Sequence, residues 1–479
     1  MPPLDLKDIQ GIILRGYGEL DSASFLLLKF EDPRLAKHWL RTVDVRSSEE
    51  RPSPSDYCAN IAFTPTGLLA LGLPQDMLAM FSNEFLEGMS GTPHRRRILG
   101  DHGESDPERW LWGAPANERV DVLLMLYASN DEALGPFVDA HVGMLTRQGM
   151  RVIVRLDTLT LPGRKEHFGF RDGIGQPDVD GYAAESSPGN RVAAGEFLFG
   201  HPNAYGQYTE RPTVAGQRDP RGLLPLAPED PTLHDFGMNG SYLVFRQLRQ
   251  DVFGFWHYLA RMAPAVYQGD PVCASVSAAS KMVGRWPNGT PLVKSPHADP
   301  GDLSDDNDFL YVQSGDADGF RCAIGSHVRR CNPRDSLDPE PGSSRSLEVN
   351  SRHRIIRRGR AYGPPAAPSM RPEEVIRSPD DGRDRGLHFI CFNTQIGRQF
   401  EFIQHTWANG SRFEGLAEDD DPLIGDRGAT SQTRGGTFTI QQDPVRKRLT
   451  GMPRFVHVRG GSYFFMPSIR AVKYLASLE

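Results

Sequence analysis

The chain repeats one strand–helix unit, and this repetition limits its fold more than any other feature of the sequence. Residues 22–43, SASFLLLKFEDPRLAKHWLRTV, read as an apolar strand, a turn and an amphipathic helix carrying Trp39. Residues 239–260, NGSYLVFRQLRQDVFGFWHYLA, have the same layout with Trp256 in the helix. Farther along each half, DVLLMLYASNDEALGPFVDAHV (121–142) is matched by GLHFICFNTQIGRQFEFIQHTW (386–407). Two such units per half, with short strands such as RVIVRLDTL (151–159), predict an α+β sandwich in each half, its helices packed on one face of an antiparallel sheet. The segment 211–237 is rich in Pro and Gly and lacks periodicity, so the division is expected there, giving halves 1–235 and 236–479. Segments 299–308 and 361–374 read as surface insertions.

Composition excludes several functions. A net charge of -7 is wrong for a general nucleic-acid binder, which needs clustered excess Lys and Arg. The basic run SRHRIIRRGR (351–360) goes against that balance and requires a local explanation. No run approaches the roughly 20 apolar residues that span a bilayer, so no membrane partner is expected. The amino end has neither a basic n-region nor a twin-Arg pair, and the five Cys are odd in number and scattered. A reducing cytoplasm is therefore the expected location, with secretion after removal of a signal left open. Cys322 and Cys331 flank His327, but no second close pair completes a zinc site.

Three segments could carry chemistry. In EHFGFRDGIGQPDVDG (166–181), the Arg171-Asp172-Gly173 step reads by itself as a turn. Phe168 and Phe170 before it and the glycines after it would let a flat or anionic ligand approach the main chain, beside a carboxylate able to accept a proton. In CAIGSHVRRCNPRD (322–335), small residues precede His327, and Arg329 or Arg330 could meet carboxylates of a bulky planar ligand. In HRIIRRGRAYG (353–363), Ile355-Ile356 suggest a strand entering the core with Arg357 or Arg358, and a buried Arg needs an anionic partner. Read separately, each segment is as well explained by a turn, a surface His or a solvated basic strand.

Together they resemble the dye-decolorizing peroxidase family. GFRDG (169–173) fits its GxxDG signature and GIGQP continues its wording; GSHVRRCNPRD is similar to the segment bearing the proximal haem ligand, and RIIRRG to that of the distal arginine. DIQGIILRGYG (8–18) resembles the family's amino-terminal wording, so the resemblance spans both halves, and the length is similar to the longer bacterial and fungal members. Gly175 stands where many relatives carry Ser, and Gly359 where some compact members carry a distal Asn.

The resemblance implies a pair of ferredoxin-like α+β units of the dimeric α+β barrel type. It implies one haem b per chain, non-covalent since no CxxCH is present, with His327 as the iron ligand and H2O2 and aromatic reductants such as dyes and phenolics as partners. Asp172 would move the proton between the peroxide oxygens and Arg357 would stabilise developing charge on the way to a ferryl state. The second nitrogen of His327 should bond a carboxylate, with Asp421 one candidate among several acids. Arg329, Gly173, Ile174 and Gln176 would contact the cofactor. Leu387 and Phe389, two apart on a strand, would point to the same side and wall the pocket. Tyr362 and Trp407 match positions that relatives use for electron transfer at the surface. The rival reading is a haem-binding or porphyrin-handling, deferrochelatase-like protein. Monomer and dimer are both compatible with the sequence.

Overall fold

A computed structural model describes residues 3–183, 186–187, 189–427 and 435–478. Its centre is one nine-stranded antiparallel sheet built from the repeated units. The first half supplies β1 (Ser22–Phe30), β2 (Cys58–Phe63), β3 (Val122–Ala128) and β4 (Met150–Asp157). The second supplies β5 (Ser241–Gln250), β6 (Ile356–Arg357), β7 (Arg360–Tyr362), β8 (Gly386–Asn393) and β9 (Val456–Met466). The spatial order is β6-β8-β5-β9-β2-β3-β1-β4, with β7 also paired to β8. Read from the β4 edge, the first half gives the strand order 4-1-3-2 of a ferredoxin-like unit, and the second half follows with its strands in the same order, as expected. The halves meet where β9 pairs with β2, at Phe465 opposite Phe63. The ladder stays open, although one isolated bridge, Leu159 to Ala361, brings its outer edges together.

The helices follow the strands as the repeat predicts. Helix α1 (Pro33–Leu40) has Pro at its start and Asp32 as N-cap, accepting from the Arg34 amide. Helix α2 (Asp131–Arg147) is capped by Asn130, and α3 (Val252–Met262) by Asp251. Trp39, Leu134 and Val138 pack with Leu26, Leu124 and Val244 in a core on one face of the sheet. Phe25, Leu27, Met125, Phe245 and Phe392 point the other way into a second core. Both faces are covered, which is why the strands read as unbroken apolar runs rather than as alternation. Among the described residues no helix is long and apolar enough to cross a membrane.

The structure corrects one expected surface insertion. Within 361–374, Tyr362, Ala367 and Met370 are 7%, 5% and 0% exposed, and Ala367 and Met370 pack beside Phe168, Phe170 and Trp256. An apolar side chain every few residues was the signal, masked by the surrounding prolines. The segment 299–308 does run over the surface, but Asp305 pairs with Arg171 at 2.5 Å and Asn307 turns inward.

Candidate active site

A cavity with an empty volume of about 1840 Å³, including its mouth, is lined by residues of both halves, most of them from the second. All three chemistry-bearing segments reach it: His327, Asp172 and Arg357 line the same space. His327 opens a single helical turn (His327–Cys331) preceded by Gly325, where an added Cβ would come within 3.3 Å of Leu416 and 3.4 Å of Phe438. Its Nδ1 bonds the Asp421 carboxylate at 3.0 Å, which leaves Nε2 as the ring nitrogen for a ligand. Asp421 is completely buried, and its other oxygen accepts from the Leu423 and Ile424 amides at 2.9 and 3.0 Å. Burial works against a charged imidazole here, but Cys331 and Asp421 outweigh it and hold the His327 pKa well above its ordinary value. Burial would raise the Asp421 pKa, yet the imidazole and the amide bonds hold it below the usual range, so the two partners agree. Of the acids open to His327 from sequence, Asp421 is the one in contact. Cys331 Sγ lies 3.7 Å from the same Nδ1, and these three side chains form the compact His–Cys–Asp group among the described residues.

Asp172 and Arg357 are a pair. Arg357 Nη1 donates to Asp172 Oδ1 at 3.0 Å, and the same oxygen accepts from the Gly173 amide at 2.6 Å. Both side chains are about one-third exposed, toward the cavity. Gly173 sits at φ +84°, where a side chain is strained, so the turn behind the acid needs this glycine. Gln176 accepts from the Arg357 backbone amide at 2.9 Å and so fixes the arginine-bearing strand without lining the main cavity itself. An added Cβ at Gly175 would come no closer than 3.8 Å to its neighbours, so the loop has room for a small side chain there. Gly173, Ile174, Leu387 and Phe389 all line the cavity, and the last two extend from the same face of β8. A second cavity of about 1160 Å³ shares Asp172, Arg357, Ile174 and Leu387 with the first and contains Gln176.

Three predicted residues lie elsewhere. Arg329 is 1% exposed, bonds the backbone oxygens of Asp316, Ala317 and Cys322, and stacks over Tyr311; it does not line the cavity. Tyr362 and Trp407, expected at the surface, are buried at 7% and 5%. Tyr362 stacks on His388 with centroids 4.5 Å apart, and Trp407 packs edge-on against His353 and Phe402.

Sequence reasoning missed the cationic side of the cavity. Arg285, Arg334 and Arg354 line it, and among the described residues no carboxylate bonds any of them. Arg334 is held by the Asn307 and Phe309 carbonyls, and Arg285 by those of Gly289 and Asp306. Burial, with neighbouring guanidiniums, pushes Arg354 down to about 9 and Arg285 to about 10. Arg354 Nη2 is buried with no hydrogen-bond partner among the described residues. The local signal was the basic run itself. Arg354 and Arg357 of that run face the cavity, while Arg358 and Arg360 bond backbone carbonyls of the amino-terminal segment. Glu166 was also missed: it lines both cavities and accepts from the Phe168 and Phe170 amides and from Gln250. Burial pushes it up to about 7.

No family model matches the chain. Named proteins do. A dye-decolorizing peroxidase of Mycena epipterygia is 29% identical, over 99% of this chain and 87% of its own length. The multifunctional dye peroxidase DyP2 of an Amycolatopsis species is 30% identical, over 78% of this chain and 74% of its own. Among solved structures, a mutant decolorizing peroxidase of Auricularia auricula-judae superposes with a TM-score of 0.79 at 25% identity, covering both chains completely. A dye-decolorizing peroxidase complexed with 2,6-dimethoxyphenol gives 0.77 at 27%, over 99% of this chain and 100% of that one. Sequence likeness along the chain, the doubled 4-1-3-2 sheet and the convergence of His327, Asp172 and Arg357 on one cavity agree: the chain belongs to the dye-decolorizing peroxidase family.

Proposed function

We propose that this protein is a haem peroxidase that uses H2O2 to oxidise dyes, phenolics and similar bulky aromatics, with one non-covalent haem b per chain. We also propose residues 236–479 as the half that holds it and 1–235 as the half that supplies the acid. The observation that carries the reading is the meeting, in one largely apolar cavity, of a carboxylate-backed imidazole and an Asp–Arg pair. The donor set suits the cofactor: an available imidazole nitrogen for iron, apolar walls for a flat ring, and guanidiniums that no carboxylate among the described residues bonds, Arg354 among them, for two propionates.

When bound, the haem supplies the iron that takes up peroxide and stores its oxidising equivalents. Its proposed holder is His327, with Asp421 fixing the tautomer and strengthening the imidazole as a donor. Asp172 Oδ1 is engaged by Gly173 and Arg357; among the described residues Oδ2 has no bond, so it is the atom that accepts the proton of the entering peroxide and returns it to the leaving oxygen. Arg357 keeps that carboxylate in place and faces the charge that develops as the O–O bond breaks. A carboxylate does this work at acid pH, where an ordinary histidine is already protonated, so the dye optimum is expected to be acid. The complex of a relative with 2,6-dimethoxyphenol supports phenolic reductants as substrates.

The test is an absorption spectrum of the haem-loaded protein before and after one equivalent of H2O2. A Soret band that shifts within the mixing time is expected, slowed by about 10²- to 10⁴-fold in Asp172→Asn. A band that stays unchanged in the wild-type protein overturns the peroxidase reading and favours haem handling.

A further inference from the structure

The basic run 351–360 leaves two arginines, Arg358 and Arg360, that the main cavity does not use; both line the second cavity, which Asp172 and Arg357 share with the first. Seven basic side chains line that second cavity against four acidic ones, in a chain whose net charge is -7. Two of the seven are ion-paired, Arg357 with Asp172 and Arg171 with Asp305. The other five, Arg15, Arg164, Lys165, Arg358 and Arg360, are held by backbone carbonyls, and no carboxylate among the described residues bonds them.

The amino-terminal segment gathers three of these cations. The short helix Gly11–Arg15 ends at Gly16, which sits in the left-handed region at φ +72°. Its carbonyls turn to Arg358, which bonds Ile12 at 3.0 Å through Nε and Ile13 at 2.9 Å through Nη2. An added Cβ at Gly16 would fall 3.1 Å from Arg358 Nε, so the glycine makes room for the guanidinium. The carbonyls of Tyr17 and Gly18 accept from Arg360 Nη2 and Arg164 Nη2, both at 2.9 Å. A carbonyl satisfies a donor without cancelling its charge, and like charges drawn together attract an anion. Among the described residues Arg164 and Arg360 hydrogen-bond the protein through that one nitrogen only, so each has donors left for a ligand. The same cavity is lined by Leu159, Leu161, Ile174, Ala361 and Leu387. It therefore suits a molecule with an apolar body, an anionic end and a group that reaches Asp172. Oδ2 of that residue handles the peroxide proton, so the group that fits there is a hydroperoxide.

We propose that the second cavity takes organic hydroperoxides bearing a carboxylate, as oxidants in place of H2O2, with Arg164, Arg358 and Arg360 recognising the carboxylate. The proposal rests on the peroxidase reading, which supplies the chemistry at Asp172. Asp172 Oδ2 takes the proton from the terminal oxygen and passes it to the oxygen bonded to carbon. The O–O bond breaks and the organic part leaves as its alcohol. Two phenols then each give up a hydrogen atom, so the terminal oxygen ends as water and two phenoxyl radicals are released. H2O2 carries no charge and gains nothing from the arginines.

The experiment uses the haem-loaded protein at about pH 6, where a carboxylate is ionised, and two oxidants that differ only in charge, cumene hydroperoxide and its 4-carboxylate. In low salt the 4-carboxylate is expected to shift the Soret band about tenfold faster than the neutral compound, an advantage that fades in about 0.5 M salt. The organic product is expected to be the tertiary alcohol rather than the ketone that radical cleavage leaves. Arg164 is exposed, and Arg164→Gln is expected to lower the ratio of the two rates about three- to fivefold, with Arg164→Lys restoring it. The unreactive 4-isopropylbenzoate, titrated calorimetrically, is expected to bind about fivefold more weakly to Arg360→Gln than to the wild type. Equal rates for the two hydroperoxides in low salt, or a preference that both arginine variants keep, would overturn the proposal. With H2O2 still active, either result leaves the peroxidase reading intact and means that these arginines only pin the amino-terminal segment. A wild-type Soret band that does not respond to H2O2 would remove both.

Discussion

Asp421 shows how a single buried carboxylate sets the character of the site. It touches no part of the cavity, yet it holds His327 by Nδ1 and is itself held by two backbone amides. Asp421→Asn keeps the shape and an acceptor but removes the charge that strengthens the imidazole. Haem affinity is expected to fall about 10- to 100-fold, and the reduction potential of the bound iron to rise, both read by spectroelectrochemistry and by haem transfer to a scavenger protein. An unchanged potential would mean that the carboxylate only positions the ring. At this scale His327, Asp172 and Arg357 were legible because their motifs keep local spacing. The arginines at 285, 334 and 354 were not, since what distinguishes them is that no carboxylate among the described residues bonds them, and that is a property of three-dimensional neighbours.

The elements act by carrying paired residues to a common wall. Strand β8 lies between β5 on one side and β6 and β7 on the other, so Leu387 and Phe389 on β8 and Arg357 on β6 are positioned by one ladder. Gly386 begins β8 opposite Arg249, and an added Cβ would fall 1.8 Å from the Leu248 carbonyl oxygen. Neither backbone can yield without opening the pairing, so Gly386→Ala is expected to destabilise the fold by about 2–3 kcal/mol, measured as the urea midpoint. Haem uptake should weaken with it, because the same strand walls the cavity. A variant of native stability would show that β8 shifts freely and would weaken the argument that the ladder sets the wall. Strand–helix order was readable here because apolar runs followed by three-four spacing are local signals. The burial of 361–374 was not, because its prolines and glycine concealed apolar side chains that find partners only in the third core.

For the molecule as a whole, the buried histidines set an acid limit. His167 and His388 are 0% and 1% exposed, and burial pushes them down to about 4 and about 3. Between the ordinary histidine pKa of about 6.5 and those values, the unfolded chain binds protons that the folded chain does not. Their contribution to stability is therefore complete above about pH 6.5 and declines as pH falls, by about 1.4 kcal/mol per pH unit for each group. His388 lies among the rings of Phe25, Phe245 and Tyr362, so His388→Phe suits its surroundings. The acid-side slope of unfolding free energy against pH is expected to lose about one proton's worth in this variant, measured by denaturant titration from pH 6.5 to 4.5. An unaltered slope would mean that His388 is protonated in the folded state. An enzyme favoured by acid in its chemistry would thus be limited by acid in its stability.

The sequence by itself determined the doubled strand–helix order, the α+β class and the three motifs, because periodicity and short spacings are written in neighbouring residues; the ferredoxin-like class followed from the resemblance those motifs carry. The tertiary structure alone decided which acid meets His327, that Arg329 faces away while Arg285, Arg334 and Arg354 face the cavity, and that Tyr362 and Trp407 are covered. Burial and ion pairing depend on contacts between residues far apart in the chain, and no local pattern encodes which of several equivalent side chains will end next to one another.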